Sequence, residues 1–190
     1  MERCGWVGLE QIYVEYHDSE WGVPEWDARA LWEKLILDGF QAGLSWLTIL
    51  KKRDNFRAAF EGFHPETIAT WAEPEVARLL TDTGIIRHRG KIEATIGNAR
   101  AYLEIQANQG FDQFLWAYVD GQALQNRWEQ QSDVPAKTKL SEQISKDLRA
   151  AGFRFCGPTI VYAFMQACGL VNDHLVSCHR HAHCAALRTP

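Results

Sequence analysis

Two groups of residues in this chain have the types and spacing to do chemistry. His174 and Cys178 lie four apart, so on a helix they share one face a turn apart, and that pair suits two ligands of a tetrahedral zinc ion. Cys4 and His17, far away in sequence, can complete a set of four. His179, His181, His183 and Cys184 offer competing donors, and a buried thiol beside a hydrogen-bonded imidazole accounts for the same residues without metal. The other group is the stretch Asp38-Gly39-Phe40-Gln41-Ala42-Gly43-Leu44-Ser45-Trp46. A lone carboxylate follows the apolar run Leu35-Ile36-Leu37, two glycines let backbone come close to a ligand, and Leu44 and Trp46 flank a serine able to cap a helix. An ordinary helix corner with a satisfied aspartate fits these residues equally well.

The elements that must position them are read from periodicity and caps. Asp27 is a good N-cap for a helix in which Leu31, Leu35 and Ile36, with Ala30 and Trp32 beside them, follow the i, i+4 spacing. That helix delivers Asp38 near its C-terminus, against the negative end of the dipole, at a cost of about 0.3–1 kcal/mol unless a cation uses it. Ser45 opens a second helix with Trp46, Ile49, Leu50, Phe56 and Phe60 on one side and Lys51, Lys52 and Arg53 on another. Pro65 and Pro74 each open a short helix, Lys91 to Ile105 reads as a long amphipathic one, and Phe111 to Tyr118 suggests another. Helices from Ser141 to Gly152 and from Pro158 to Gly169 bracket Gly152-Phe153-Arg154-Phe155-Cys156-Gly157-Pro158-Thr159, a hairpin whose N–H groups and following helix dipole suit an anion such as a DNA phosphate. Residues 1–26 read as irregular, 120–140 as a polar excursion, and the tail after Arg180 has no helix logic. No period-2 strand and no repeat emerges, so the expected fold class is all-α, as a single domain over 1–190.

Composition narrows the function classes. The chain has 190 residues, 46% apolar and 23% charged, which suits one soluble domain with a real core. A net charge of −4 provides no whole-molecule attraction to nucleic acid. Lys51-Lys52-Arg53 with Arg57, and Arg87-His88-Arg89 with Lys91, are compact basic clusters that serve either as solvated faces or as phosphate contacts. No run reaches the roughly 20 apolar residues of a membrane span, and Met1-Glu2-Arg3-Cys4 lacks a signal-peptide layout, so a cytoplasmic protein is expected. Five cysteines argue against a disulfide framework. Five of the eight tryptophans fall in the first quarter of the chain, which implies an aromatic core there or a stacked planar ligand.

Several long blocks carry a family resemblance: Met1-Glu2-Arg3-Cys4-Gly5-Trp6, Tyr16-His17-Asp18, Glu20-Trp21-Gly22-Val23-Pro24, Gln41-Ala42-Gly43-Leu44-Ser45-Trp46, Gly84-Ile85-Ile86-Arg87-His88-Arg89-Gly90-Lys91, and Phe164 through His174. Together they resemble the constitutive 3-methyladenine DNA glycosylases of the helix–hairpin–helix superfamily, over all but 120–140 and the tail after Cys178. The resemblance implies a helix–hairpin–helix glycosylase fold with the motif in 141–170. It implies one structural zinc per chain on Cys4, His17, His174 and Cys178, tying residues 1–26 to 170–184 and leaving no open coordination position. It also implies base excision repair: an alkylated purine is flipped from double-stranded DNA and released hydrolytically, without strand cleavage. The substrate is cationic N3-methyladenine, with N3-methylguanine the other cationic candidate, and free 3-methyladenine is the product.

The resemblance distributes roles as well. Tyr16, Trp46, Tyr13, Trp21 and Trp6 become walls that stack on the base, and Asp38 the catalytic carboxylate that accepts from its exocyclic amine. Leu44, with Gly43 beside it, fills the gap left in the duplex, while Gly157 and Thr159 contact the DNA backbone, with Arg87, Arg89 and Lys91 as further phosphate ligands. Two departures stand out. Asn172 holds the place of the superfamily's catalytic aspartate, with Asp173 next to it. The family carries glutamate where this chain has Asp38, a reach shorter by about 1 Å, which repacking by Phe40 or a bridging water must cover. A monomer is expected. The alternative is a zinc-stapled protein that binds or senses alkylation damage in DNA without releasing the base.

Overall fold

In the computed structural model, which describes residues 1–187, the segment expected to be irregular contains a helix, α1 (Gln11–Ser19). Ile12, Tyr13, Tyr16 and His17 recur at helical spacing, and Tyr16 and His17 are buried. Gly8 (φ +65°) and Gly22 (φ +81°) bound the segment and hide that periodicity. Next comes α2 (Ala28–Gln41), capped by the Asp27 side chain, which accepts from the Ala30 amide at 2.7 Å. Asp27→Ala should lower stability by about 1 kcal/mol and the thermal midpoint by about 2–4 °C, read by calorimetry; an unchanged midpoint would show that α2 is held by packing alone.

The chain reverses through Gly43 (φ +82°), and Ser45 caps α3 (Trp46–Leu50) by accepting from the Thr48 amide at 3.2 Å. The single helix expected here is two, because Lys52 leaves helical geometry (φ −107°, ψ 0°) and its ammonium donates to the Thr83 and Gly84 carbonyls before α4 (Arg53–Ala59) begins. There follow α5 (Pro65–Ile68), α6 (Glu73–Thr81), α7 (Arg89–Asn108) and α8 (Phe111–Trp116). The excursion supplies a two-residue strand, β1 (Leu124–Gln125). The chain ends in α9 (Lys139–Ala150), α10 (Pro158–Ala167), β2 (Val171–Asn172) and α11 (His179–Ala186). β1 and β2 pair in parallel, Leu124 opposite Val171, the one departure from an all-helical reading among the described residues. The tail read as lacking helix logic is thus largely helical, and Cys184 is its buried anchor.

α2 is the central element, packed against α3, α7, α8 and α10. Around it Trp32, Phe40, Phe56, Phe60, Phe111 and Phe164 are fully buried. A second, smaller cluster joins Cys4, Val7, Tyr16 and Trp21 to Leu175 and Cys178, so the two ends of the chain share one core. Gly169 (φ +67°) makes that junction possible: a Cβ there would lie 2.4 Å from the Pro24 nitrogen. None of the helices is long and apolar enough to cross a membrane, among the described residues.

The basic clusters are largely spent on the fold. Lys91, read as a phosphate ligand, is 7% exposed and donates to the Phe40 and Ala42 carbonyls at 2.7 Å each. It is a cation on the negative end of α2, offsetting the placement of Asp38 in the last turn. Lys51 pairs with Glu10, Arg53 with Glu20, Arg57 with Glu33, and Arg89 with Glu73 and Glu93.

Candidate active site

A cleft of about 230 Å³ opens between the two core clusters. Trp6, Tyr13, Tyr16 and Trp21 form one side, in edge, tilted and stacked contacts; Trp6 lies 4.9 Å from Tyr13 and 5.0 Å from Trp21, centroid to centroid. Trp46 faces them, 5.5 Å from Tyr16. α2 contributes Lys34, Asp38 and Gln41, and α10 contributes Ala163, Gln166 and Ala167. Gln131 and Val134 of the polar excursion complete the rim, and Asp173 lies at the α10 side. The six residues assigned to reading the base, Asp38, Tyr16, Trp46, Tyr13, Trp21 and Trp6, therefore line one cavity.

Asp38 is 2% exposed, and burial pushes its carboxyl above the ordinary range, opposed by the charge and hydrogen bond of Lys34. Its Oδ1 accepts from Lys34 Nζ at 2.5 Å, while its Oδ2 is buried without a partner, as is Trp46 Nε1. Lys34 Nζ also stands 3.9 Å from the Trp46 ring centroid, a cation–π contact. Sequence reading missed Lys34, although its i, i+4 relation to Asp38 was a usable signal. Tyr16 is held as a neutral phenol well above its ordinary range, by burial first and then by the charge of Asp38.

Asp173 is tied off by the protein. Its Oδ1 accepts from Asn126 Nδ2 (2.7 Å) and Trp128 Nε1 (2.8 Å), and its Oδ2 from the Tyr162 hydroxyl (2.5 Å) and Gln166 Nε2 (2.8 Å). Asn172 is equally occupied, donating to Gln125 Oε1 and the His181 carbonyl. Residues 120–140 thus brace the floor of the cleft through Asn126 and Trp128, which their weak pattern concealed.

The residues read as DNA contacts lie outside the cleft. Leu44 is 40% exposed on the turn after α2, where Gly43 has open space around it. Gly157 is the N-cap residue of α10, with Thr159 exposed in the first turn. The hairpin before them is anchored: Asn98 exchanges two hydrogen bonds with the backbone of Arg154, and Ser145 donates to the Cys156 carbonyl. It also packs on α2 beside Asp38, because a Cβ on Gly39 would lie 3.3 Å from the Phe155 carbonyl oxygen.

Behind the aromatic wall, Cys4, His17, His174 and Cys178 are all buried, with their ligand atoms within 4.8 Å of one another. Cys4 Sγ lies 3.6 Å from His174 Nδ1, and Cys178 Sγ lies 3.5 Å from His17 Nε2 and 3.6 Å from His174 Nδ1. A tetrahedral zinc with its usual bond lengths sets S···N edges of about 3.6 Å. The outer ring nitrogens are also engaged, His17 Nδ1 with Asp18 Oδ1 at 2.8 Å and His174 Nε2 with the Trp21 carbonyl at 3.0 Å, as second partners of metal ligands are. Hydrogen bonds, first from Cys4 and then from the histidines, pull the Cys178 thiol far below its ordinary range against the effect of burial. The donor set fits a metal. One expectation is corrected: His174 and Cys178 lie on no helix but on the turn between β2 and α11, closed by the Cys178 amide on the Leu175 carbonyl at 2.8 Å. Two competing donors are used elsewhere, His179 on the Glu2 carbonyl and His181 on the Asn126 carbonyl.

Residues 6–181 match the protein family described as Methyladenine glycosylase. The chain is 54% identical over 179 residues to DNA-3-methyladenine glycosylase 1 of Escherichia coli, covering 94% of this chain and 96% of that one. A crystal structure of 3-methyladenine DNA glycosylase I matches with a TM-score of 0.93 at 52% identity, covering 95% of this chain and all of the other. The Staphylococcus aureus 3-methyladenine DNA glycosylase I, whose structure was solved for the basis of 3-methyladenine recognition, matches with a TM-score of 0.92 at 40% identity, over 95% of this chain and 97% of that one. With a family match spanning nearly the whole length and relatives this close, the chain belongs to the methyladenine glycosylase family.

Proposed function

We propose that this protein is a monofunctional DNA-3-methyladenine glycosylase of base excision repair, which releases cationic N3-methylated purines from double-stranded DNA. The observation that carries the reading is Asp38, a buried carboxylate with one unpartnered oxygen in a cleft walled by Trp6, Tyr13, Tyr16, Trp21 and Trp46. Aromatic faces and a carboxylate favour a planar cation over neutral adenine, and the unpartnered Asp38 Oδ2 supports the role of acceptor for its exocyclic amine.

The chemistry needs little from the protein beyond binding. The base is a cation, so its glycosidic bond is weak; on cleavage the bonding electrons pass to the base, which becomes neutral, and the positive charge passes to the sugar. Water adds to the sugar carbon and gives up a proton. No side chain in the cleft is required as a strong acid, consistent with an Asp173 whose oxygens are already fully engaged. Asp38 acts by binding the base cation and orienting it.

In this reading the described residues of the expected 1–190 domain form one glycosylase domain, 188–190 lying outside them, in which 141–170 is the helix–hairpin–helix, and Gly157 and Thr159 offer the start of α10 to a phosphate. Zinc on Cys4, His17, His174 and Cys178 ties 1–26 to 170–184; with four protein ligands it supplies structure and no activated water. We read the protein as a cytoplasmic monomer. Leu44, with Gly43 giving it freedom, fills the gap in the duplex. Leu44→Ala should therefore slow excision from duplex DNA about tenfold, the worth of an apolar side chain withdrawn from burial, and leave binding of the free base unchanged. Equal excision rates would remove Leu44 from the interface.

The deciding experiment incubates the protein with methylated duplex DNA and separates the products by chromatography. Free 3-methyladenine with intact strands is the expected result. Tight binding without released base would make the protein a damage sensor instead.

A further inference from the structure

The two contacts that a cationic base needs in this cleft are already made by a group of the protein. Lys34 Nζ lies 2.5 Å from Asp38 Oδ1 and 3.9 Å from the centroid of Trp46. Its side chain is 16% exposed, so the ammonium is largely drawn into the cleft. We propose that Lys34 is an internal cation that holds the base's seat in the free protein, and that a cationic base displaces it. The inference rests on the reading of the cleft as a base pocket and names the device by which that pocket tests charge.

The displaced ammonium has somewhere to go. A second cavity, of about 270 Å³, shares Lys34, Tyr16 and Ala167 with the first. Glu20, Glu25 and Glu33 line it, against the guanidiniums of Arg53 and Arg57, so three carboxylates face two cations and one negative charge is left over. Glu20 is held by Arg53 and Glu33 by Arg57, which fixes that acidic wall in place. Lys34 lines both cavities, so in this proposal the ammonium passes from one to the other by rotation about its own side-chain bonds.

Two functional consequences follow from the exchange. A neutral base that took the seat would strand Asp38, buried and charged, without a counter-ion, so undamaged adenine is rejected by charge as well as by shape. A cation replaces the ammonium like for like. Cleavage of the glycosidic bond then neutralises the base, since the bonding electron pair ends on its ring while the sugar takes the positive charge. The neutral product has lost its claim on Asp38, and Lys34 returns and helps to expel it. The unpartnered Oδ2 of Asp38 agrees with this order, because one ammonium leaves half of the carboxylate without a donor.

The test uses the whole protein with its lysines labelled at Cε. In the free protein the Trp46 ring current shifts the Lys34 Cε protons upfield, and Lys34→Met identifies that signal by its loss. The probe is the 3,9-dimethyladeninium ion, a permanently cationic form of the base with a methyl group in place of the sugar. On titration the Lys34 signal should move to the ordinary lysine position as the cleft saturates. Lys34→Met should bind the same probe about tenfold tighter, the factor expected if the seat is open about a tenth of the time. Saturation of the cleft with the Lys34 signal unmoved, or a Lys34→Met protein that binds no tighter, overturns the exchange while leaving the base pocket in place. The absence of any saturable change at Trp6, Tyr16 or Trp46 overturns the pocket reading itself, and the exchange with it.

Discussion

Asp38→Asn is expected to cut the release of 3-methyladenine from methylated duplex DNA by about 10- to 100-fold, the worth of about 1.5–3 kcal/mol that a hydrogen bond to a charged group carries. Asparagine keeps the shape and one acceptor but removes the charge that distinguishes a cation from a neutral purine. The same change should leave the thermal midpoint unaltered or raise it. Burial holds this carboxyl above its ordinary range, so the fold disfavours the ionised form; the stability available to the protonated group is lost as pH rises through that raised value. An uncharged replacement escapes that loss. Falling activity with undiminished stability is the signature of a group retained for its ligand, and a destabilised but fully active Asp38→Asn protein would remove Asp38 from the site. Asp38→Glu should retain activity, because the extra methylene keeps the charge and lengthens the reach.

The second large effect is expected at the opposite side of the aromatic wall. Cys4→Ala, or stripping the metal with a chelator, should lower the thermal midpoint by about 10 °C, which corresponds to about 3–5 kcal/mol in a chain of this size. Cys4 Sγ links the first residues to His174, at 3.6 Å, and all four donors are buried, so their loss exposes a seam of the smaller core. Elemental analysis should find one zinc per chain. A metal-free protein of equal stability would refute the structural role. Below the lowered midpoint the variant should still excise, because a metal bound by four protein ligands would hold the walls of the cleft and take no part in the bond-breaking.

What the residues disclose before folding divides along physical lines. The i, i+4 run of Leu31 and Leu35 with the Asp27 cap reads directly as α2, and the Ser45 cap as the start of α3, since both signals are local. α1 escapes because its aromatic face covers only two turns between glycines. α11 escapes because its histidines look like metal donors when one of them, His181, serves the backbone of Asn126. Lys91 is the sharpest departure. Its neighbours Arg87 and Arg89 suggest a phosphate cluster, yet its ammonium is spent inside the protein on the end of α2. Nothing local reveals that two carbonyls some fifty residues away await a donor. Residues 120–140 are illegible for a similar reason: Asn126 and Trp128 acquire meaning only when Asp173 arrives beside them.

The joining of the two ends of the chain also bears on how the protein comes into being. Trp6, Tyr13, Tyr16 and Trp21 are synthesised early, but His174, which closes on Cys4 behind them, lies 170 residues beyond Cys4. Until His174 and Cys178 leave the ribosome, the first wall has Trp46 to face but lacks the backing that Cys4 and His17 find on those two residues. The lining of the cleft is therefore complete only once synthesis has passed Asp173, and its backing only at Cys178.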